Sequence, residues 1–209
     1  MKSSKILRAN STDFYGATAY ALGRLERELP AKLSYHSHWH TAQVVIPAAL
    51  SLGQLAGLQE EEIRLVETAC AFHDIGFIEG YVGHEIAGMR IAVEVLPNFG
   101  FSLEDMKRVE NMILATRLPQ NPRNHLEEII ADADLDVLGR DDFFIQNQAL
   151  YMEVEAFGRK FSLEKWMEGQ VNFISKHNYF TPQARRRRDV KKQANLLELV
   201  ARLNSTQVD

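Results

Sequence analysis

Apolar residues recur along this chain at spacings of three and four and almost never alternate, which is the period of a buried helix face and not of a strand. Residues from about Phe14 to Leu29 read as a first helix, ended by Pro30. A second starts near Trp39 and runs through TAQVVIPAALSLGQLAG, where Pro47 is expected to bend it and Gly53 or Gly57 to loosen its end. A third covers roughly Glu60 to Ile75 and stops at Gly76, and a fourth follows Gly83 until PNFG breaks it at Pro97. Ser102, with Asp105 three residues on, makes a capping-box-like start for a fifth helix that ends near Thr116. RLPQNPRN, with two prolines and two asparagines, is the clearest loop. Beyond it helices are expected near Leu126 to Leu138, Asp141 to Phe157 and Ser162 to His177, and a last one opens with Thr181 and Pro182 in the N-cap and first helical positions. The pattern predicts an all-α fold of about nine helices forming one domain over residues 1–209, with no linker and no internal repeat.

The polar residues inside the apolar stripes carry the candidate chemistry. Drawn at 100° per residue with Val66 at zero, the third helix puts Ile63, Ala69 and Cys70 within about 60° of Val66 and His73 about 20° from it. Asp74 lies at the edge of the same arc. In EEIIADADLDVLG, with Ile130 at zero, Ala133, Val137 and Leu138 define an inward face roughly 140° wide, and Asp134 lies inside it at about 40°. Asp132 and Asp136 fall outside and are expected to be solvated or bonded to local backbone. In SYHSHWHT, His36 and His40 are four apart and share a face if the segment is helical, while His38 points elsewhere. Each of these groups can be satisfied singly within a core. A divalent ion bound by two imidazoles and two carboxylates would remove the burial cost of all four at once, and His and Asp on separate helices are how metal sites in helical bundles are built. On the wheels alone both readings stand.

Composition narrows the class without choosing the chemistry. The 209 residues are enough for one large domain with a real core, and a formal charge of -4 gives no reason to expect a nucleic-acid or membrane surface. The best apolar run, VVIPAAL, is too short to span a bilayer, and the opening MKSSKILRAN has lysines but no apolar stretch of the kind a secretory signal needs. A single cysteine, Cys70, excludes an internal disulfide and fits a cytoplasmic location. The four consecutive arginines of ARRRRDVKK spread around a whole helix circumference, which reads as solvated charge or helix-to-helix salt bridging and argues against nucleic-acid binding. Trp166, Phe173 and Phe180 recur near helical spacing and read as core or as a dimer contact, so a homodimer stays open.

Taken in order, YHSHWHT, AFHDIG, GHEIAG and ADADLDVLG resemble the HD-domain superfamily of metal-dependent phosphohydrolases, whose defining set is a histidine, an adjacent His-Asp pair and a later aspartate. The likeness covers residues 33–142 as an HD-like metal-binding core, with 143–209 as C-terminal helices packing on it. It implies His40, His73, Asp74 and Asp134 as ligands of one divalent metal ion (Mn, Fe, Co, Ni, Mg or Zn). It also implies attack of a metal-activated water on a small phosphorylated substrate, a nucleotide among the candidates.

Further roles follow from the same resemblance. Asp74 would orient the water. His36 is similar to the histidine four residues before the first ligand in cyclic-nucleotide phosphodiesterases, where it protonates the leaving oxygen; an exposed or core-capping histidine would look the same. His84 is similar to a pocket-lining histidine of several HD hydrolases. Arg117, Arg123, His125 and Arg140 flank the site in that picture, and each alone reads as surface charge. The departures point to a mononuclear member of no assigned branch. Phe77 and Ile78 replace the acidic pair of the alarmone-hydrolase pattern, Phe77 replaces the lysine of the cyclic-dinucleotide branch, Thr116 and Arg117 replace that branch's histidine pair, and Leu135 replaces the basic residue of triphosphohydrolases. The alternative to a phosphohydrolase is a non-catalytic module that senses a ligand in the same pocket.

Overall fold

The structure, a computed structural model, describes residues 11–206; MKSSKILRAN and the reading placed on it lie outside these residues. Among the described residues there are nine α-helices and no strand. They are α1 (Phe14–Glu28), α2 (Ile46–Ala56), α3 (Glu60–Phe72), α4 (His84–Val95), α5 (Leu103–Ala115), α6 (His125–Asp134), α7 (Phe143–Ala156), α8 (Leu163–Lys176) and α9 (Pro182–Thr206). The all-α fold expected from the spacing is the one observed, and none of these helices is long and apolar enough to cross a membrane.

The caps explain most of the boundaries. Ser102 Oγ accepts from the Asp105 N–H at 3.0 Å, and Ser162 Oγ from the Lys165 N–H at 3.2 Å, each satisfying a first-turn donor. Asn124 Oδ1 accepts from the N–H groups of both Leu126 and Glu127. Gly57 ends α2 at a φ of 76°, a left-handed conformation that a Cβ would penalise. Pro47 acts differently from a simple bend. Residues His40–Val45 are π-helical and α geometry resumes at Ile46, whose N–H still donates to the Thr41 carbonyl, so Pro47 lies just past the switch from π to α in a helical run that continues through it.

Helix α3 is the centre of the molecule, packed by α1, α2, α5 and α6. Its second half, from Thr68 to Phe72, is buried on every side, as a central helix must be. It stops at Phe72, three residues earlier than the periodicity predicts, and a 3-10 turn follows at Ile75–Ile78. Gly76 therefore does not terminate the helix; it lies inside this turn, flat against α4. A Cβ built on it would sit 1.9 Å from the His84 carbonyl oxygen and 2.6 Å from the Gly88 nitrogen. Gly88 in turn faces the carbonyls of Phe72 and His73, so two glycines let the backbones of the turn and of α4 touch.

A second, smaller core lies on the C-terminal side. It joins Tyr35 to Val137 and Leu138 of a 3-10 turn (Asp136–Gly139), to Phe143 of α7, to Met167 and Ile174 of α8 and to Leu199 of α9.

Two of the three aspartates of ADADLD anchor α9 and the segment that leads into it, and here the wheel misplaces both. Asp132 and Asp136 are 1% and 2% exposed, whereas the Asp134 side chain retains 19%. Asp132 accepts from the Phe180 and Thr181 N–H groups, both at 2.8 Å, and from Thr181 Oγ1 at 2.7 Å. Thr181 Oγ1 in turn accepts from the Ala184 N–H, which starts α9 where the Thr-Pro pair predicts it. Asp136 takes a bidentate pair from Arg188, Nε and Nη2 each at 2.6 Å. The wheel assumed one buried face on α6, and α9 buries the other. The arginine run is accounted for by the same packing: Arg188 bridges helices, Arg187 donates to Ser51 Oγ, and Arg185 and Arg186 face solvent.

Candidate metal centre and its surroundings

Four side chains meet where three helical segments end. His40 is the first residue of the π segment, His73 and Asp74 follow the last residue of α3, and Asp134 is the last residue of α6. His73 Nε2 lies 3.1 Å from Asp74 Oδ2 and 3.5 Å from Asp134 Oδ1; His40 Nε2 lies 3.3 Å from Asp134 Oδ1 and 3.9 Å from Asp74 Oδ2. His40, His73 and Asp74 alone satisfy the geometry of a metal-holding group.

The donor chemistry fits a cation. His73 Nδ1–H donates to the Cys70 carbonyl at 2.6 Å, which fixes the tautomer and leaves Nε2 as a bare lone pair. That Nε2 and Asp74 Oδ2 are fully buried and neither has a hydrogen-bond partner. Two acceptors facing each other in a dry site need a positive charge between them or a proton on one of them. On a six-coordinate ion with bonds near 2.1 Å, neighbouring donors lie about 3.0 Å apart and opposite ones about 4.2 Å, and the four spacings fall within that range. Burial pulls the His73 pKa down, but the carboxylates of Asp74 and Asp134 outweigh it and hold it well above the usual imidazole value. Burial pushes Asp74 up, and the imidazoles of His73, His36 and His40 outweigh it and hold the carboxyl below the ordinary range; Asp134 follows the same rule with His40 and His73.

The remaining histidines are brought to this cluster by different means. His36 is not on a helix, so the shared-face argument for His36 and His40 does not apply, yet their rings lie 6.0 Å apart because the bend at 34–37 folds back on the π segment. His84, first residue of α4, has Nε2 3.7 Å from Asp74 Oδ1, so the two oxygens of Asp74 face different imidazoles. Phe77 packs on both, with centroids 4.6 Å from His36 and 3.8 Å from His84. In place of the acid or lysine of other branches, the chain has an aromatic plate there.

Glu153 of α7 is the site residue that periodicity missed. It is 0% exposed; Oε2 accepts from the N–H groups of Tyr35 at 2.8 Å and His36 at 2.9 Å, and Oε1 accepts from His36 Nδ1–H at 2.5 Å. Burial pushes this carboxyl up, and the His36 contacts outweigh it and hold it below its usual value. The same carboxylate, after burial, helps push the Tyr81 hydroxyl up to about 12, and Tyr81 stacks on Phe157 at 4.0 Å. No local signal betrays Glu153, because its partners are more than a hundred residues away in sequence.

Three of the four flanking cations are elsewhere. Arg117 and Arg123 line a separate cavity of about 350 Å³ with Asn111, Asn121 and Glu127, and exposed His125 pairs with Glu128 at 3.1 Å. Arg140 is held by Asp142.

Against models of known families, residues 35–136 match the HD domain. No curated protein and no solved structure matches the chain.

Proposed function

The chain belongs to the HD-domain superfamily through residues 35–136, a family of metal-dependent hydrolases whose members bind divalent metals, and from that premise we propose that it hydrolyses a phosphate ester of a nucleotide or another small phosphorylated molecule. The observation that carries the reading is the pair of buried, unpartnered acceptors, His73 Nε2 and Asp74 Oδ2, with His40 and Asp134 completing the donor set around them. A divalent ion held by these groups supplies Lewis acidity toward a phosphoryl oxygen and makes water acidic enough to attack near neutral pH.

The chain's own residues do the rest. Asp74 Oδ1, on the His84 side, accepts a hydrogen bond from the attacking water and orients it. Because two carboxylates cancel a divalent charge, the substrate phosphate draws little net attraction from the centre itself and needs further donors. His36 and His84 supply them. His36 donates from Nε2 to the leaving oxygen, its Nδ1–H being committed to Glu153. Phe77 excludes water from one side of both imidazoles.

Elemental analysis of the purified protein, combined with manganese- or cobalt-supplemented assays on phosphomonoesters, phosphodiesters and nucleoside triphosphates, tests this. Metal-dependent phosphate release supports the proposal. Metal bound with no turnover on any ester class overturns it in favour of a ligand-sensing role.

A further inference from the structure

Beyond residue 136, where the HD match ends, one side chain reaches back into the site. Glu153 sends one oxygen to the backbone of Tyr35 and His36 and the other to the His36 ring. A buried carboxylate needs donors, and backbone N–H groups alone would satisfy it. Clasping backbone and ring of one residue does more, because it fixes both torsions that aim the imidazole. The Nδ1 side of the ring is turned to α7, and the ring itself lies 6.0 Å from both His40 and His84 and 4.6 Å from Phe77. Its free Nε2 is the nitrogen left for the reacting group.

We infer that Glu153 is a positioning residue of this enzyme: it holds His36 so that Nε2–H meets the leaving oxygen, which makes α7 a part of the site that the HD segment lacks. The inference rests on the proposed hydrolysis. In the step concerned, the P–O bond breaks with its electron pair passing to the leaving oxygen. The Nε2–H bond breaks as the new O–H bond forms. The ring is left as the neutral Nδ1–H tautomer, still donating to Glu153, and regains a proton from solvent.

The test uses the full chain with manganese and two aryl esters of whichever class it turns over, 4-nitrophenyl and phenyl. An expelled 4-nitrophenolate needs little protonation; a phenolate needs it. His36→Asn, Glu153→Gln and Glu153→Ala should each slow the phenyl ester about a hundredfold in kcat, the low end for a lost general acid, with the 4-nitrophenyl ester slowed less than about threefold in kcat. Glu153→Gln added to His36→Asn should cost no more than about twofold further, because both act through one ring. A purely structural role would slow both esters alike and add in the double variant, and either result overturns the inference. In parallel, ¹⁵N spectra of the His36 ring followed through a pH titration should show Nδ1 protonated throughout in the parent, with only Nε2 gaining and losing its proton, and a mixture of the two neutral tautomers in Glu153→Ala. If the parent hydrolyses no ester, the functional reading fails by itself, and the ring spectra still decide whether Glu153 holds His36; an unchanged tautomer in Glu153→Ala refutes that hold.

Discussion

Gly76, in the middle of HDIGF, offers a sharp test of how the metal-centre loop is held. Its missing Cβ would sit 1.9 Å from the His84 carbonyl oxygen, 2.8 Å from that carbonyl's carbon and 2.6 Å from the Gly88 nitrogen. These are backbone atoms of α4, so no side-chain rotation relieves the clash, and α4 has to retreat by about 1.5 Å before the closest contact becomes ordinary. That retreat opens the contact between Gly88 and the carbonyls of Phe72 and His73 and disturbs the seating of Ile91 and Ala92, both buried. Overpacking costs about 1–3 kcal/mol, and with backbone on both sides Gly76→Ala is expected at the upper end, about 3 kcal/mol. For a domain of this size that corresponds to a Tm lower by about 6–12 °C.

Urea unfolding followed in parallel by far-ultraviolet circular dichroism and tryptophan fluorescence measures it, with Gly80→Ala as the matched control, since a Cβ at Gly80 meets nothing within 4 Å. The control should stay within about 0.5 kcal/mol of the parent. Because α4 carries His84, Gly76→Ala should also shift the His84 ring resonances. A Gly76→Ala protein as stable as the control would refute the close approach of turn and helix.

Three other outcomes are expected. Burial first, and the Lys192 ammonium second, hold His177 down at about 4 against its ordinary 6.5, so the unfolded chain binds a proton that the folded chain refuses. Stability on the order of 3 kcal/mol is therefore lost as pH falls from about 6.5 to 4 and is present above that window. His177→Gln should flatten that part of a stability-against-pH curve, and an unchanged slope would count against the assignment. Asp136→Ala strands the Arg188 guanidinium, whose side chain is 17% exposed, and should cost about 3–5 kcal/mol in urea unfolding; a loss below about 1 kcal/mol would mean the bridge is ornamental to α9. Manganese at a hundredfold excess over its Kd should raise the unfolding free energy by about 2.7 kcal/mol, reversibly on chelation, and Asp74→Asn should abolish the gain; the same thermal shift in that variant would place the ion elsewhere.

How much of this was legible beforehand depended on what kind of information each residue carries. Helix number, caps and the Thr181-Pro182 start of α9 follow from local chemistry, and local chemistry is what a sequence displays. The wheel selected Asp134 over its neighbours as the buried acid, whereas Asp134, which faces His40 and His73, is the most exposed of the three. Asp132 and Asp136 are the drier pair because α9, fifty residues downstream, closes over them. Exposure is a property of what packs on a face, and the face itself does not encode it.

The same distinction explains why a histidine stands beside an aspartate in an apolar run. His73 and Asp74 occupy the point where α3 gives way to a 3-10 turn, and Asp74 takes backbone angles of −101° and 1°, outside regular helix. There His73 returns one proton to the helix at Cys70, and its other nitrogen, with Asp74, is turned out of the apolar packing toward His40 and Asp134. His73 and Asp74 follow the last residue of α3, Asp134 is the last residue of α6 and His40 opens the π segment, so each stands at a change of helix geometry while its helix remains packed. A helix interior commits a side chain to one direction, so a centre built at helix ends can gather charges without cutting into any one apolar face. Glu153, the contributor from within a helix, is accordingly the one that spacing could not find: only the chain reversal that lays residues 35 and 36 across α7 gives its burial a purpose.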